Sequence, residues 1–152
     1  MKITLCGSIA FIDEMDAVRK ELEAMGHDVE MPPLEVMGGE GKMIPAKEYY
    51  TLRKSVTDET HWIWKKKEWA MREHFDKVVW AEAILVCNHD KNGIAGYIGA
   101  NTLLEMGLAF HLKKPTYLLN AIPEVSYKEE ILGMRPIVIN GDLKEITGIA
   151  PR

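Results

Sequence analysis

The chain has 152 residues, 47% hydrophobic and 28% charged, a composition that excludes disorder and can bury the core of a single domain spanning residues 1–152. Its 19 basic and 23 acidic residues leave a net charge of −4, which argues against a surface built to grip nucleic-acid phosphates. No apolar run approaches the roughly 18 residues of a membrane helix, and two cysteines, Cys6 and Cys87, support neither a disulfide framework nor a CxxC site.

Lys2 to Cys6 reads as a first strand rather than a signal peptide, so a reducing cytoplasm is the expected setting, and Gly7-Ser8 turns the chain. From Ile12 to Met25, the residues Met15, Val18, Leu22 and Met25 recur at helical spacing, and Gly26 supplies a stop. Asp28 to Met31 is a short strand broken by Pro32-Pro33, and Gly38-Gly39-Glu40-Gly41 reads as a flexible loop. Pro45 suits a helix start, and a helical region is expected from there to about His74, interrupted near Thr57-Asp58. Ala83 to Cys87 is apolar throughout, the mark of a strand buried on both faces. Asn88 to Gly99 reads as loop and Thr102 to Leu112 as helix. Two further strands, Thr116 to Leu119 and Pro136 to Ile139, flank a short helix around Glu129 to Leu132. Five strands alternating with helices predict a three-layer α/β fold with a parallel sheet. Ligands of such sheets bind beyond the carboxyl ends of the strands, which selects Cys6-Gly7-Ser8, Asn88-His89-Asp90 and Asn120.

The stretch from Gly93 to Glu105 is the most informative. Its glycines let backbone amides approach a ligand, and the helix that follows presents its amino terminus to the same edge. Glu105 falls one turn into that helix, where the positive end of the dipole is expected to keep it ionised. An ionised, oriented carboxylate is what attack on a sugar's anomeric carbon requires. Thr102-Leu103-Leu104-Glu105 equally fits a capping box, so two roles compete for one side chain. Cys6 and Cys87 read as small buried strand residues. His61, His74 and His111 have no ligand spacing, so no metal and no cofactor is expected. Lys65-Lys66-Lys67 reads as a solvated helix face. Trp62 and Trp69, seven apart, read as core or subunit interface, with a base-stacking wall as the alternative.

The order of these motifs resembles the nucleoside 2-deoxyribosyltransferase-like superfamily, including the 2′-deoxynucleoside 5′-phosphate N-hydrolases. Cys6-Gly7-Ser8-Ile9 is similar to the CGSI start of those hydrolases, and Ala81 to Val86 to their A-D-hydrophobic strand. Tyr97-Ile98-Gly99, Thr102 and Glu105 to Ala109 resemble the nucleophile segment, and Lys114 to Leu119 the K-P-hydrophobic strand. The resemblance covers most of residues 2–120. It implies a flavodoxin-like fold and cleavage of an N-glycosidic bond of a nucleoside or nucleotide, by transfer to another base or to water.

In that reading Glu105 is the nucleophile and Asp76 the nearest carboxylate to serve as acid, with His74 or a residue of another subunit as alternatives. Cys6, Gly7, Ser8, Ile9, Phe11, Asn88, Tyr97, Gly99, Asn101 and Thr102 would surround the substrate, Phe11 touching the base. The Arg-Gly element of the hydrolases is replaced by Ala10-Phe11. Two alternatives stand beside this one: a catalytically inactive nucleotide-binding or regulatory module of the same fold, and a phosphoribohydrolase of the lysine-decarboxylase-like group. The implied partners are a small-molecule nucleoside or nucleotide and further copies of the chain in a homo-oligomer, with no nucleic acid and no membrane.

Overall fold

The computed structural model describes residues 1–149. Five parallel strands form the sheet: β1 (Lys2–Cys6), β2 (Asp28–Glu30), β5 (Ala83–Val86), β6 (Thr116–Leu118) and β7 (Ile137–Val138), in the order β2-β1-β5-β6-β7. This is the doubly wound, flavodoxin-like order, with its reversal between β1 and β5. The helices α1 (Ile12–Ala24), α2 (Ala46–Ser55), α3 (Ile63–Trp80), α4 (Ala100–His111) and α5 (Lys128–Gly133) complete the layers. None of the described helices is long and apolar enough to cross a membrane.

Side chains of a strand point alternately to opposite faces, and that period of two builds two cores. Ile3, Leu5, Ala83 and Leu85 face one way, against Met15 and Leu22 of α1. Cys6, Ile84 and Val86 face the other way, against Val78 of α3 and Met106 and Ala109 of α4. Cys6 therefore points under the two helices that frame the candidate site. The carboxyl end of α3 is tied down by Lys114, whose ammonium donates to the carbonyls of Val78 (2.9 Å) and Ala81 (2.6 Å) and also to that of Val79.

Two expectations change. The glycine-rich stretch at 38–41 is the turn of an antiparallel hairpin, β3 (Glu35–Met37) with β4 (Met43–Pro45). Gly41 supplies the positive φ (74°) that such a turn needs. The long helical region is interrupted where expected, at residues 56–62 between α2 and α3, but α3 continues past His74 to Trp80.

Asn88, expected to touch substrate, instead braces the sheet edge from inside. It is fully buried, with Nδ2 within hydrogen-bond reach of the carbonyls of Gly96 (3.3 Å), Asn120 and Ala121 (both 3.0 Å). Its Oδ1 accepts the amide of Asn120 at 2.9 Å, and Asn120 Nδ2 donates back to the Asn88 carbonyl. The side chain thus saturates backbone groups of two loops that would otherwise be buried without partners. Asn88→Ala should cost about 3 kcal/mol of folding free energy, since it strands several buried polar groups at once. Urea unfolding of the variant measures this, and a loss under about 1 kcal/mol would contradict the bracing role.

Candidate active site

A cavity of about 470 Å³ opens over the carboxyl ends of β1 and β5, walled by α2, α3 and the start of α4. Helix α4 begins at Ala100 with Gly99 as its cap, because Gly99 is extended (φ −85°, ψ 175°) and the helical backbone starts one residue later. Thr102 therefore lies inside the helix, and the capping box expected with Glu105 does not form. Glu105 sits in the second turn, 3% exposed, on the cavity floor. Asn101, one turn earlier, donates from Nδ2 to Glu105 Oε1 at 3.1 Å. The other oxygen, Oε2, has no hydrogen-bond partner among the described residues and lies 3.8 Å from His74 Nε2.

Burial dominates the titration of this site. Desolvation pushes the Glu105 carboxyl up to about 8, outweighing the neighbouring Cys6 thiol and the charge of Lys67, both of which favour the anion. The expectation that the helix dipole keeps Glu105 ionised is corrected accordingly: a terminal dipole is a weaker term than removal of a carboxylate from water. Burial likewise brings Lys67 down to about 8, helped by the nearby charges of Arg53 and Lys54. Lys67 Nζ lies 3.5 Å from Asn101 Oδ1, so Asn101 bridges the ammonium and the carboxyl. His74 is held near 4 by burial and by the charge of Lys77, and its imidazole is neutral at pH 7.

At the mouth, Ser8 caps the short 3-10 turn Ile9–Phe11 through its Oγ. Lys91 donates to Ser8 Oγ at 3.0 Å and to Tyr50 Oη at 2.6 Å, and its ammonium lies over the Tyr50 and Tyr97 rings. Gly7 allows the turn to pack closely, since a Cβ there would stand 3.1 Å from the Cys87 carbonyl oxygen. Arg53, Lys54, Lys66, Lys67, Lys77 and Lys91 all line the cavity, against only Glu73 and Glu105. A chain of net charge −4 thus presents a locally cationic cavity.

Of the predicted residues, Gly7, Ser8, Ile9, Tyr97, Gly99, Asn101, Thr102 and Glu105 line the cavity. Cys6 lies under its floor, with Sγ 3.5 Å from His74 Nε2. Phe11 is buried in the opposite core with its ring edge-on to His89, out of reach of a base. Asp76 is exposed and away from the cavity. It follows His74 by two residues, which is about 200° around a helix, so His74 facing inward turns Asp76 outward. The tryptophans are not core: Trp62 is 44% and Trp69 51% exposed, and Trp69 forms part of the cavity wall. Lys66 and Lys67, expected on a solvated face, line the cavity too.

Tyr50, Arg53, Lys67 and Lys91 escaped the sequence reading as site residues, whereas His74, an alternative there for the acid, does line the cavity. Lys91 follows Asp90 at the third strand's end and was within reach of the edge rule. Nothing in the sequence marks Arg53.

No family model and no curated protein matches the chain. Among solved structures, a 2-deoxyribosyltransferase from the psychrotolerant bacterium Bacillus psychrosaccharolyticus is similar over 78% of this chain and 71% of that one, with 16% identity and a TM-score of 0.49.

The titrations have a consequence for stability. Folded Glu105 keeps its proton up to about pH 8, whereas the unfolded carboxyl releases it near 4.5, so stability falls as pH rises across that window. His74 acts oppositely, adding stability as pH rises from about 4 to 6.5, and Lys67 does so only above about pH 8. Between pH 6.5 and 8 the Glu105 slope stands alone among the three. Thermal unfolding of the wild type should therefore shift down across this interval, while Glu105→Gln stays flat and is more stable at pH 8 by on the order of a few kcal/mol.

Proposed function

We propose that the chain cleaves the N-glycosidic bond of a nucleoside or nucleotide, with Glu105 as the nucleophile. The observation that carries the reading is a buried carboxyl on the floor of the sheet-edge cavity, oriented by Asn101 and with one oxygen unpartnered among the described residues. The motif order from Cys6-Gly7-Ser8-Ile9 to Glu105 supports it, as does the flavodoxin-like strand order.

In this mechanism the Glu105 carboxylate attacks the anomeric carbon and the bond to the base breaks. The bonding pair passes to the base nitrogen, which takes a proton from the Lys67 ammonium. Water, or the nitrogen of a second base, then attacks the glycosyl ester, gives its proton to the Lys67 amine and frees the carboxylate. Lys67 takes the role earlier assigned to Asp76, because its pKa near 8 suits proton exchange near neutrality. The cationic wall favours a phosphorylated substrate, the phosphate meeting Lys91 and Ser8 at the mouth.

The reaction needs Glu105 ionised and Lys67 protonated, so kcat/KM should be bell-shaped with its maximum near pH 8. Base release from a deoxynucleotide panel, followed by chromatography, should fall about 10³-fold or more in Glu105→Gln with ligand binding retained. Lys67→Met should lose about 10²-fold and its alkaline limb. Unchanged turnover in Glu105→Gln would sink the nucleophile assignment, and ligand binding without base release by the wild type would favour a non-catalytic binding module. Lys91→Ala should raise KM about tenfold for 5′-phosphorylated substrates and leave unphosphorylated nucleosides unaffected.

A further inference from the structure

Cys6 and His74 have no part in that reaction, yet they meet Glu105 in an arrangement with its own chemistry. The thiol comes from β1, the imidazole from α3 and the carboxyl from α4, so no sequence spacing announces the group. Cys6 Sγ lies 3.5 Å from His74 Nε2, and His74 Nε2 lies 3.8 Å from Glu105 Oε2. The three ligand atoms fall within 4.8 Å of one another, and all three side chains are buried.

Both neighbours face the same imidazole nitrogen. A nucleophile-base-orienter relay needs them on opposite nitrogens, so this is not a Cys-His-Glu catalytic triad. Burial also holds the Cys6 thiol well above its ordinary value, which removes it as a nucleophile. Three ligand atoms of these kinds within 4.8 Å of one another are instead what a cation demands. With metal–ligand bonds of about 2.0–2.3 Å, the edges of a tetrahedral site measure roughly 3.3–3.8 Å. The S–N separation of 3.5 Å matches its edge, and the N–O separation of 3.8 Å exceeds its edge by a few tenths of an ångström, a gap that a small side-chain rotation closes. Glu105 Oε2, buried and without a partner among the described residues, supplies a free acceptor aimed at the group.

We propose that Cys6 Sγ, His74 Nε2 and Glu105 Oε2 form a three-ligand site for a divalent cation of the zinc class, with its fourth position toward the cavity. Thiolate and imidazole select zinc or cobalt over magnesium and calcium, which prefer oxygen ligands. The thiolate and carboxylate balance the two positive charges, so the filled site is neutral beside Lys67 and Lys77. Binding displaces the thiol proton and any proton on the carboxyl, so affinity rises with pH. A cation on Oε2 also occupies an oxygen that could attack the sugar. This last consequence, inhibition of base release, rests on the proposed function; the site itself does not.

The test is a titration of the chelator-treated full chain with Co²⁺, followed by displacement with Zn²⁺. One equivalent should bind with a thiolate-to-cobalt charge-transfer absorption in the near ultraviolet. Cys6→Ser should abolish that band and weaken uptake about 100-fold, and the nearly isosteric Glu105→Gln should weaken uptake at least about tenfold. Circular dichroism checks that each variant is folded, and Glu105→Gln carries the test if Cys6→Ser fails to fold. No uptake by the wild type at micromolar metal, or full uptake by folded Cys6→Ser and Glu105→Gln, overturns the site. Assays with and without Zn²⁺ separate the two readings: stoichiometric uptake with no base release in chelator overturns the reaction alone. Base release indifferent to bound Zn²⁺ overturns the inhibitory consequence.

Discussion

The Glu105 carboxyl is held out of water, and the surrounding residues take their character from that. Its helix puts it under the junction of α3 and α4, where Ile84, Val86, Met106 and Ala109 build an apolar core immediately below the cavity. A carboxylate in such a place is costly unless it is protonated or met by donors and cations. The structure answers with one amide, from Asn101, and one partly buried ammonium, from Lys67. Glu105 and Lys67 are both left near the point of proton exchange, at about 8, which is useful for chemistry and unfavourable for stability.

The same confinement explains why His74 and Asp76, two residues apart, have such different surroundings. Alternation around α3 gives one of them the cavity and the other the solvent. With a neutral imidazole against Glu105, the site has an uncharged neighbour where a second carboxylate would have raised the pKa further by repulsion. In the proposed reaction, the proton for the leaving base comes from Lys67. A neutral imidazole beside a buried thiol and carboxyl also makes a soft-ligand pocket, which two carboxylates could not.

Charge is distributed unevenly over the molecule. Lys54, Lys66, Lys67, Lys77, Lys91 and Arg53 gather around one cavity while the chain as a whole is acidic. Low-dielectric walls strengthen their field inside the cavity, so its local potential is opposite in sign to that of the net charge. Lys91 is fixed there by Ser8 and Tyr50 rather than left free, so its ammonium is already ordered for an anionic group at the mouth, the role proposed for it.

Much of the scaffold was legible in the amino-acid order, because periodicity is a local property. The apolar run at 83–87, the helical spacing of Met15, Val18 and Leu22 and the alternation of strands with helices require only neighbouring residues to be read. They led to the parallel sheet and, through the rule that ligands bind at strand carboxyl ends, to Gly7 and Ser8; Tyr97, Asn101 and the role of Glu105 came from the resemblance in motif order. The β3–β4 hairpin was lost because three-residue strands beside a run of glycines carry too little pattern to register. Tertiary structure alone decided which face of α3 turns inward, and so exchanged Asp76 for His74 and brought Lys67 out of an apparently solvated run. It also turned Asn88 and Phe11 away from the cavity and set Cys6 beneath Glu105. Burial and through-space distance are sums over segments remote in sequence, which is why these assignments and the pKa of Glu105 had no local signature.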